Sequence, residues 1–194
     1  MTDPFRSQHL LYRLVDPDVD ESFFRELQVD PLARRNSNPR VPKPPSKKSG
    51  LEYMKGVEDS LLGLVICLPG PEPPSEPVSI GTIHLSQSAP GMEHHRFTYA
   101  GINIIKRYQG QGYGTEAIKW ILEWAFNSAG LHRVGIRVAE YNSGARRLYE
   151  KLGFTQEGVT REMLWRDGRW WDDIQLSMLS REWMEKYGAI KQAT

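Results

Sequence analysis

The chain has 194 residues, of which 39% are hydrophobic and 25% charged, a balance typical of an ordinary globular domain with a substantial core. With 25 basic and 24 acidic side chains, the formal net charge is +1, so no global field draws the chain onto nucleic acid or an anionic membrane. The single cysteine, Cys67, excludes a disulfide within the chain, and its apolar surroundings predict a buried side chain rather than a nucleophile.

The sequence also limits location and organisation. No charged segment followed by an apolar one opens the chain, and no apolar run approaches the roughly 20 residues of a membrane-spanning helix. We therefore expect a cytoplasmic protein, with a nuclear location left open. The five histidines form no metal-binding spacing, so we expect no metal. We predict one domain over residues 1–194, with a flexible, basic, proline-rich loop at 36–45 and a proline-rich hairpin loop at 69–77.

Apolar periodicity predicts the order β-α-α-β-β-β-α-β-α-β-β, followed by a short helix from Ser180. The predicted strands are 10–15, 61–68, 78–85, 95–105, 133–139, 154–165 and 170–179. The other predicted helices are 18–28, 46–57, 114–129 and 142–152. Asp167 and Gly168 indicate a hairpin turn between the last two strands. The strand–helix–strand order in the centre implies a right-handed parallel crossover, so we predict an α/β fold with a mixed sheet.

A glycine-rich segment, residues 109–114, lies between a predicted strand and a predicted helix. Glycine lets the backbone curl and approach a ligand, and the helix start adds free N–H groups and a positive dipole end. This combination is typical of a pyrophosphate site. The spacing does not match the dinucleotide fingerprint, and no Gly-Lys-Ser/Thr follows, as a Walker loop would require. On these six residues alone, a tight turn without a ligand remains an alternative.

Two motifs and the C-terminal segment together point to one family. Residues 109–114 match the signature Gln/Arg-x-x-Gly-x-Gly/Ala, and residues 142–154 match Asn-x-x-Ala-x-x-Leu-Tyr-x-x-x-Gly-Phe. Residues 166–179 resemble the RimJ/RimL-like branch of the GCN5-related N-acetyltransferase (GNAT) superfamily, to which both motifs belong. The resemblance is clear over residues 101–183. It implies the GNAT fold, a mixed sheet of about six to seven strands with flanking helices, splayed at the central parallel pair.

The resemblance implies acetyl-coenzyme A (acetyl-CoA) as the acetyl donor. In the family, the glycine loop binds the pyrophosphate and the preceding strand pairs with the pantetheine arm. Asn142 then reaches a polar group of the pantetheine, a role that can coexist with capping its helix. The residues expected to bind the coenzyme are Ile102, Asn103, Ile104, Gln109, Gly110, Gln111, Gly112, Tyr113, Gly114, Thr115, Asn142, Ala145 and Arg146.

By the same resemblance, Tyr149 is the general acid that protonates the departing thiolate, and it must be protonated at neutral pH to do so. The general base stays unassigned. Thr98 occupies the position at which histone-modifying members carry a glutamate. Besides a chain of water molecules, the candidates are Glu93, His94, His95, Glu140, Asp172 and Asp173.

The predicted function is acetyl transfer to a primary amine by direct attack in a ternary complex. The amine belongs to a small molecule, a protein N-terminus or a lysine. The alternatives are a non-catalytic acyl-CoA-binding sensor or scaffold, and an adaptor for an acidic partner or for nucleic acid through the basic stretch 34–48. Trp165, Trp170 and Trp171 are expected in core or interface packing, with an acceptor-binding wall as the alternative. The sequence leaves homodimer formation open.

Overall fold

The computed structural model describes residues 3–29, 36, 40, 41, 43–70 and 76–188. Within them lie seven strands: β1 (Leu11–Leu14), β2 (Leu62–Leu68), β3 (Val78–Leu85), β4 (Phe97–Ile104), β5 (Arg133–Ala139), β6 (Thr155–Arg166) and β7 (Arg169–Leu179). The same residues form five α-helices: α1 (Pro17–Val29), α2 (Lys47–Glu58), α3 (Tyr113–Glu123), α4 (Ser143–Leu152) and α5 (Ser180–Trp183). The predicted α/β class and element order are confirmed. Parts of the predicted loops 36–45 and 69–77 lie outside the described residues, so both loops stay predictions.

The chain folds into two compact units, and β4 contributes residues to both. The first unit comprises Met1–Gln87 and Gly101–Ile121, and the second comprises Ser88–Ala100 and Leu122–Thr194. The first unit contains the strand order β1-β2-β3-β4, and the second contains β4-β5-β7-β6. The prediction of a single domain stays a prediction.

The core of the first unit lies between its helices and the sheet. Phe24 of α1, Val57 of α2 and Cys67 of β2 belong to one cluster of buried side chains, together with Ile105 just after β4. Cys67 is fully buried, which confirms its predicted role as a small hydrophobic residue. Burial raises the pKa of its thiol, which opposes formation of a reactive thiolate.

The second unit contains the predicted parallel pair. β4 and β5 pair in parallel only from Phe97–Tyr99 with Arg133–Gly135, although both strands continue. Such a short register is what a splayed pair requires. β7 pairs antiparallel with β5 and β6. The turn between β6 and β7 has positive φ at Asp167 (53°) and Gly168 (79°), as a two-residue hairpin turn demands.

Two predicted elements differ from the structure by more than one residue at an end. The strand predicted at 95–105 begins only at Phe97, because Glu93–His95 form a 3₁₀ turn and Arg96 has a φ of 48°. The helix predicted at 114–129 is α-helical only to Glu123, and Trp124–Ser128 form a π-helical turn. Both differences are changes of backbone hydrogen bonding that apolar periodicity does not report.

Gly63 of β2 allows α2 to pack directly on the sheet, because a Cβ there would overlap the carbonyl oxygen of Val57. Gly63→Ala should therefore lower the free energy of unfolding, measured by urea denaturation, by about 3 kcal/mol. Gly56→Ala is the matched control: it lies within α2 with open space around it and should stabilise the protein by about 0.5–1 kcal/mol. Equal stability of the two variants would contradict this account of the packing.

Candidate functional site

The glycine loop has a backbone that other residues rarely adopt. Gly110 and Gly112 have φ values of 76° and 92°, and nothing lies within 4 Å of a Cβ built on either residue. The side-chain Nε2 of Gln109 donates to the carbonyl of Ile104 at 2.7 Å and so ties the loop to the end of β4. The loop is exposed and open, and its curvature depends on glycine.

The start of α3 presents hydrogen-bond donors to this loop. The N–H of Glu116 donates to the carbonyl of Gly112 at 3.1 Å and opens the series of helical hydrogen bonds. The N–H groups of Tyr113, Gly114 and Thr115 precede that bond and have no acceptor within the helix. Together with the positive end of the helix dipole, they form an arrangement suited to a phosphate group.

Glu116 places a carboxylate in the first turn of α3, where the N-terminal segment covers it. Its Oε1 accepts hydrogen bonds from the Ser7 hydroxyl at 2.6 Å and from the His9 N–H at 2.7 Å. The Nδ1 of His9 lies 2.9 Å from Oε2. Burial tends to raise the pKa of Glu116, but the hydrogen bonds from His9 and Ser7 outweigh it and lower the pKa. The negative charge beside the loop is thus held by three donors.

Aromatic contacts attach the same N-terminal segment further along α3. Trp120 stacks on Tyr12, with ring centroids 4.0 Å apart, and its Nε1 donates to the carbonyl of Pro4 at 3.1 Å. The ring of Phe5 lies 6.2 Å from that of Trp120. Residues 4–12 are therefore packed along the helix that follows the glycine loop.

Of the residues predicted on β4, Ile104 and Asn103 are buried and Ile102 is half-buried. A polar contact reaches this strand from α2: the Tyr53 hydroxyl lies 2.7 Å from the Thr82 hydroxyl of β3, and Asn103 also hydrogen-bonds to Tyr53. Burial raises the pKa of Tyr53, and both hydrogen bonds oppose that rise. One face of β3 and β4 thus carries buried polar groups.

In the second unit, Asn142 caps α4 as predicted. Its Oδ1 accepts a hydrogen bond from the N–H of Ala145 at 3.3 Å, and its carbonyl accepts one from the N–H of Arg146 at 3.1 Å. The Arg146 side chain forms an ion pair with Glu150, with Nε and Oε1 2.7 Å apart. The capping role is confirmed, while contacts of these residues with a coenzyme stay a prediction.

Tyr149 lies on the buried face of α4, with 7% of its surface exposed. Its ring centroid is 5.8 Å from that of Phe154. Desolvation by burial raises the pKa of Tyr149 to about 12. The phenol is therefore protonated throughout the physiological pH range, which is the state that a general acid needs.

The candidate carboxylate bases have structural partners. Glu93 accepts a hydrogen bond from the N–H of Gly91 at 3.2 Å, and Glu140 accepts one from the N–H of Asp172 at 3.2 Å. Asp172 accepts one from Glu162 at 2.9 Å. Glu140 and Asp172 thus meet just after the end of β5 and near the start of β7. None of these bonds gives a carboxylate a proton-accepting role in catalysis.

The remaining candidates differ in burial. Asp173 is buried and pairs with Arg137, with Oδ2 and Nη2 2.6 Å apart. His94 and His95 are exposed in the 3₁₀ turn, with ring centroids 3.9 Å apart. Thr98 is buried. The structure therefore singles out no base among the residues predicted from sequence.

Sequence reasoning missed His84 of β3. Its Nδ1 is buried and has no hydrogen-bond partner among the described residues. A Cβ on Gly101 of β4 would lie 2.7 Å from His84 Nε2, so the imidazole packs against the backbone of that strand. The sequence does single out this histidine, because His84 is the one imidazole in the otherwise apolar or small stretch 78–85.

Of the three tryptophans expected in core or interface packing, two lie outside the core. Trp165 and Trp170 are 60% and 54% exposed, and their rings lie 5.0 Å apart on the β6–β7 hairpin. Trp171 is half-buried and packs edge-on against Tyr141 at 5.5 Å. The side-chain alternation of the hairpin puts the first two on its solvent side.

Two kinds of feature are absent from the described ranges. No cluster of three or more His, Cys, Asp or Glu side chains there is arranged to hold a metal ion. Likewise, none of the described helices combines the length and apolar composition needed to cross a lipid bilayer.

Comparison with known proteins identifies the class. The family model for the acetyltransferase (GNAT) domain matches residues 9–155, which is more than half of the chain. The chain therefore belongs to the GNAT family, and the predicted GNAT fold is confirmed.

Individual relatives agree with this assignment. The Bacillus subtilis protein named "Probable N-acetyltransferase YjcK" is 35% identical over 101 residues, which cover 52% of this chain and 55% of that protein. The ribosomal protein uS5-alanine N-acetyltransferase of Escherichia coli is 27% identical over 110 residues, 57% of this chain and 56% of that enzyme. The chain thus spans about half the length of these relatives.

The structure of Vibrio cholerae spermidine N-acetyltransferase with CoA and spermine shows the same fold. It has a TM-score of 0.76 over 92% of this chain and 99% of that one, at 24% identity.

Proposed function

We propose that this protein is an N-acetyltransferase that moves an acetyl group from acetyl-CoA to a primary amine. The observation that carries the proposal is the glycine loop. Gly110 and Gly112 have positive φ and open space around them, and the loop leads into a helix start with unbonded N–H groups. A diphosphate fits the donors and the dipole of this loop.

The coenzyme would be held by three segments. The backbone N–H groups from Gly110 to Thr115 would bind the pyrophosphate, and the β4 backbone at Ile102, Asn103 and Ile104 would pair with the pantetheine arm. Asn142, Ala145 and Arg146 at the start of α4 are the remaining residues expected to contact the coenzyme. Gln109 supports this assignment indirectly, because its bond to Ile104 links the loop to β4.

In the proposed reaction, the amine attacks the acetyl thioester directly. A backbone N–H in the stretch Ile102–Ile104 stabilises the developing oxyanion, and Tyr149 donates a proton to the departing sulfur. The high pKa of Tyr149 supports this role, since the phenol holds its proton until it is needed. No covalent intermediate with the protein is required.

The acceptor is proposed to be a primary amine on a small molecule or at a protein N-terminus. Similar proteins are named for both kinds: an alanine of ribosomal protein uS5 and spermidine. The Trp165–Trp170 pair offers an exposed aromatic surface on the hairpin, but its contacts do not distinguish the two kinds of acceptor.

The test is an amine panel scored by thiol release and by the mass of the product. Spermidine, an aminoglycoside, single amino acids and a peptide beginning with alanine are each incubated with acetyl-CoA and the protein. We expect a gain of one acetyl group on at least one amine. Binding of acetyl-CoA without acetylation of any amine would favour a sensor or scaffold, and absence of coenzyme binding would overturn both functions.

A further inference from the structure

His84 sits on the buried polar face of the first unit. In the antiparallel pairing of β2 with β3, His84 lies opposite Gly63, and Thr82 lies opposite Val65. Residues two apart on a strand share a face, so His84 and Thr82 point to the same side of the sheet. That side also holds Tyr53 of α2, whose hydroxyl contacts Thr82 at 2.7 Å.

A glycine lies on each side of the imidazole. On β2 the neighbour is Gly63, and on β4 it is Gly101, where a Cβ would overlap Cε1 and lie 2.7 Å from Nε2 of His84. Any other residue at position 101 would displace the ring. Gly101 thus leaves the room in which the imidazole packs against the backbone of β4.

Within the described residues, one nitrogen of the His84 imidazole is unused, and burial disfavours the charged form of the ring. Burial is the one cause that lowers the pKa of His84, and no charged group of the described residues contributes to the shift. The Nδ1 atom has no hydrogen-bond partner in the described part of the chain. Leaving a buried polar atom unpaired costs about 1–3 kcal/mol, so such an atom calls for a partner.

The position of the His84 ring beside β4 indicates which group would be the hydrogen-bond partner of Nδ1. Gly101 immediately precedes Ile102, Asn103 and Ile104, the stretch to which we assign the coenzyme thioester. No carboxylate occurs between Glu93 and Glu116, so β4 itself supplies no base. We propose, on the basis of the function proposed above, that His84 accepts the proton lost by the acceptor amine, at Nδ1 and directly or through one water molecule.

Acetyl transfer to the amine forms one bond and breaks another. The amine nitrogen forms a bond to the acetyl carbon, and the carbon–sulfur bond breaks. The proton leaving the nitrogen goes to His84, and the sulfur takes the phenolic proton of Tyr149. Solvent then removes the proton from His84 and returns one to Tyr149, so the products are an N-acetyl amine and free CoA.

His84→Gln tests this role, because an amide keeps polarity and approximate size but cannot accept a proton. We expect kcat to fall by about 10²–10⁴-fold, the usual contribution of a general base, while the Kd for acetyl-CoA stays within about threefold. His132→Gln is the control, since that imidazole is exposed in the second unit and should retain wild-type kcat. Wild-type kcat in His84→Gln would overturn the proposal.

The pH profile separates proton transfer from a structural role. Only the neutral imidazole can act as a base, so log kcat/KM should fall as the pH drops through the pKa of His84. Because burial lowers that pKa, the fall should lie below about pH 6.5, the ordinary value for histidine. The same limb should be absent in His84→Gln, and its persistence there would contradict the assignment.

Chemical rescue covers the case in which His84→Gln loses activity by disturbing the fold. His84→Ala leaves space beside Gly101, and added imidazoles should restore turnover at rates that rise with imidazole basicity. Rescue that is absent in a variant that still binds acetyl-CoA would overturn the proposal. Failure of the proposed function gives a different result, because the wild-type protein would then acetylate no amine in the panel.

Discussion

Gly112→Glu should abolish binding of acetyl-CoA. The residue has a φ of 92°, which a glutamate adopts only with strain, and its side chain would enter the open space above the loop. The added carboxylate would also lie where helix N–H groups and the dipole favour a negative ligand, and like charges at such a site cost several kcal/mol. We expect the Kd, measured by calorimetry, to rise by more than about 100-fold.

A control variant is needed that has the same backbone strain and the same added charge as Gly112→Glu but at another position. Gly91 has a φ of 82°, also has open space around it, and belongs to the second unit. Gly91→Glu therefore makes the same chemical change away from the loop and should leave the Kd unchanged. If Gly112→Glu bound acetyl-CoA as tightly as Gly91→Glu, the loop would not be the pyrophosphate site.

Tyr149→Phe should lower kcat by about 10²–10⁴-fold, since it removes only the proton that a general acid supplies. The ring keeps its packing against Phe154, so the Kd for acetyl-CoA should change by less than about threefold. Stopped-flow turnover and calorimetry on one preparation measure the two quantities together. In the wild-type protein, titration of Tyr149 should cause no loss of activity until the pH approaches its pKa of about 12.

Tyr187→Phe provides the matched control for Tyr149→Phe. The Tyr187 hydroxyl donates to the carbonyl of Leu152 at the end of α4, 3.0 Å away, and serves the fold of the same unit. Its loss should cost about 1 kcal/mol of stability and leave kcat unchanged. Normal turnover in Tyr149→Phe would remove Tyr149 as the acid, and equal loss in both variants would assign its effect to packing.

Sequence patterns that depend on neighbours along the chain predicted the structure well. The alternation in β5 and the capping signals at Ser46 and Asn142 are local, and the structure has β5 at Arg133–Ala139 and helices beginning just after both caps. The glycine loop also lies between a strand and a helix as predicted. Its glycines could be recognised in the sequence because residues other than glycine rarely adopt the positive φ values of this loop.

The properties that escaped prediction depend on residues far apart in sequence. Glu116 is held by Ser7 and His9 more than 100 residues away, and His84 is confined by Gly101 on another strand. Neither contact has a periodicity that can be read along the chain. The exposure of Trp165 is another such property, since the sequence left core packing, interface packing and an acceptor-binding wall open, and only the solvent face of the folded hairpin excludes the core.

The attachment of the N-terminal segment to α3 affects where the part of this protein that supports the glycine loop begins. The family match starts at residue 9, yet Pro4, Phe5 and Ser7 all contact the helix whose first turn faces the glycine loop. The family match therefore begins several residues after the first contacts that support this helix. A fragment that begins where the family match begins would keep every glycine of the loop and lose part of the support that holds its helix in place.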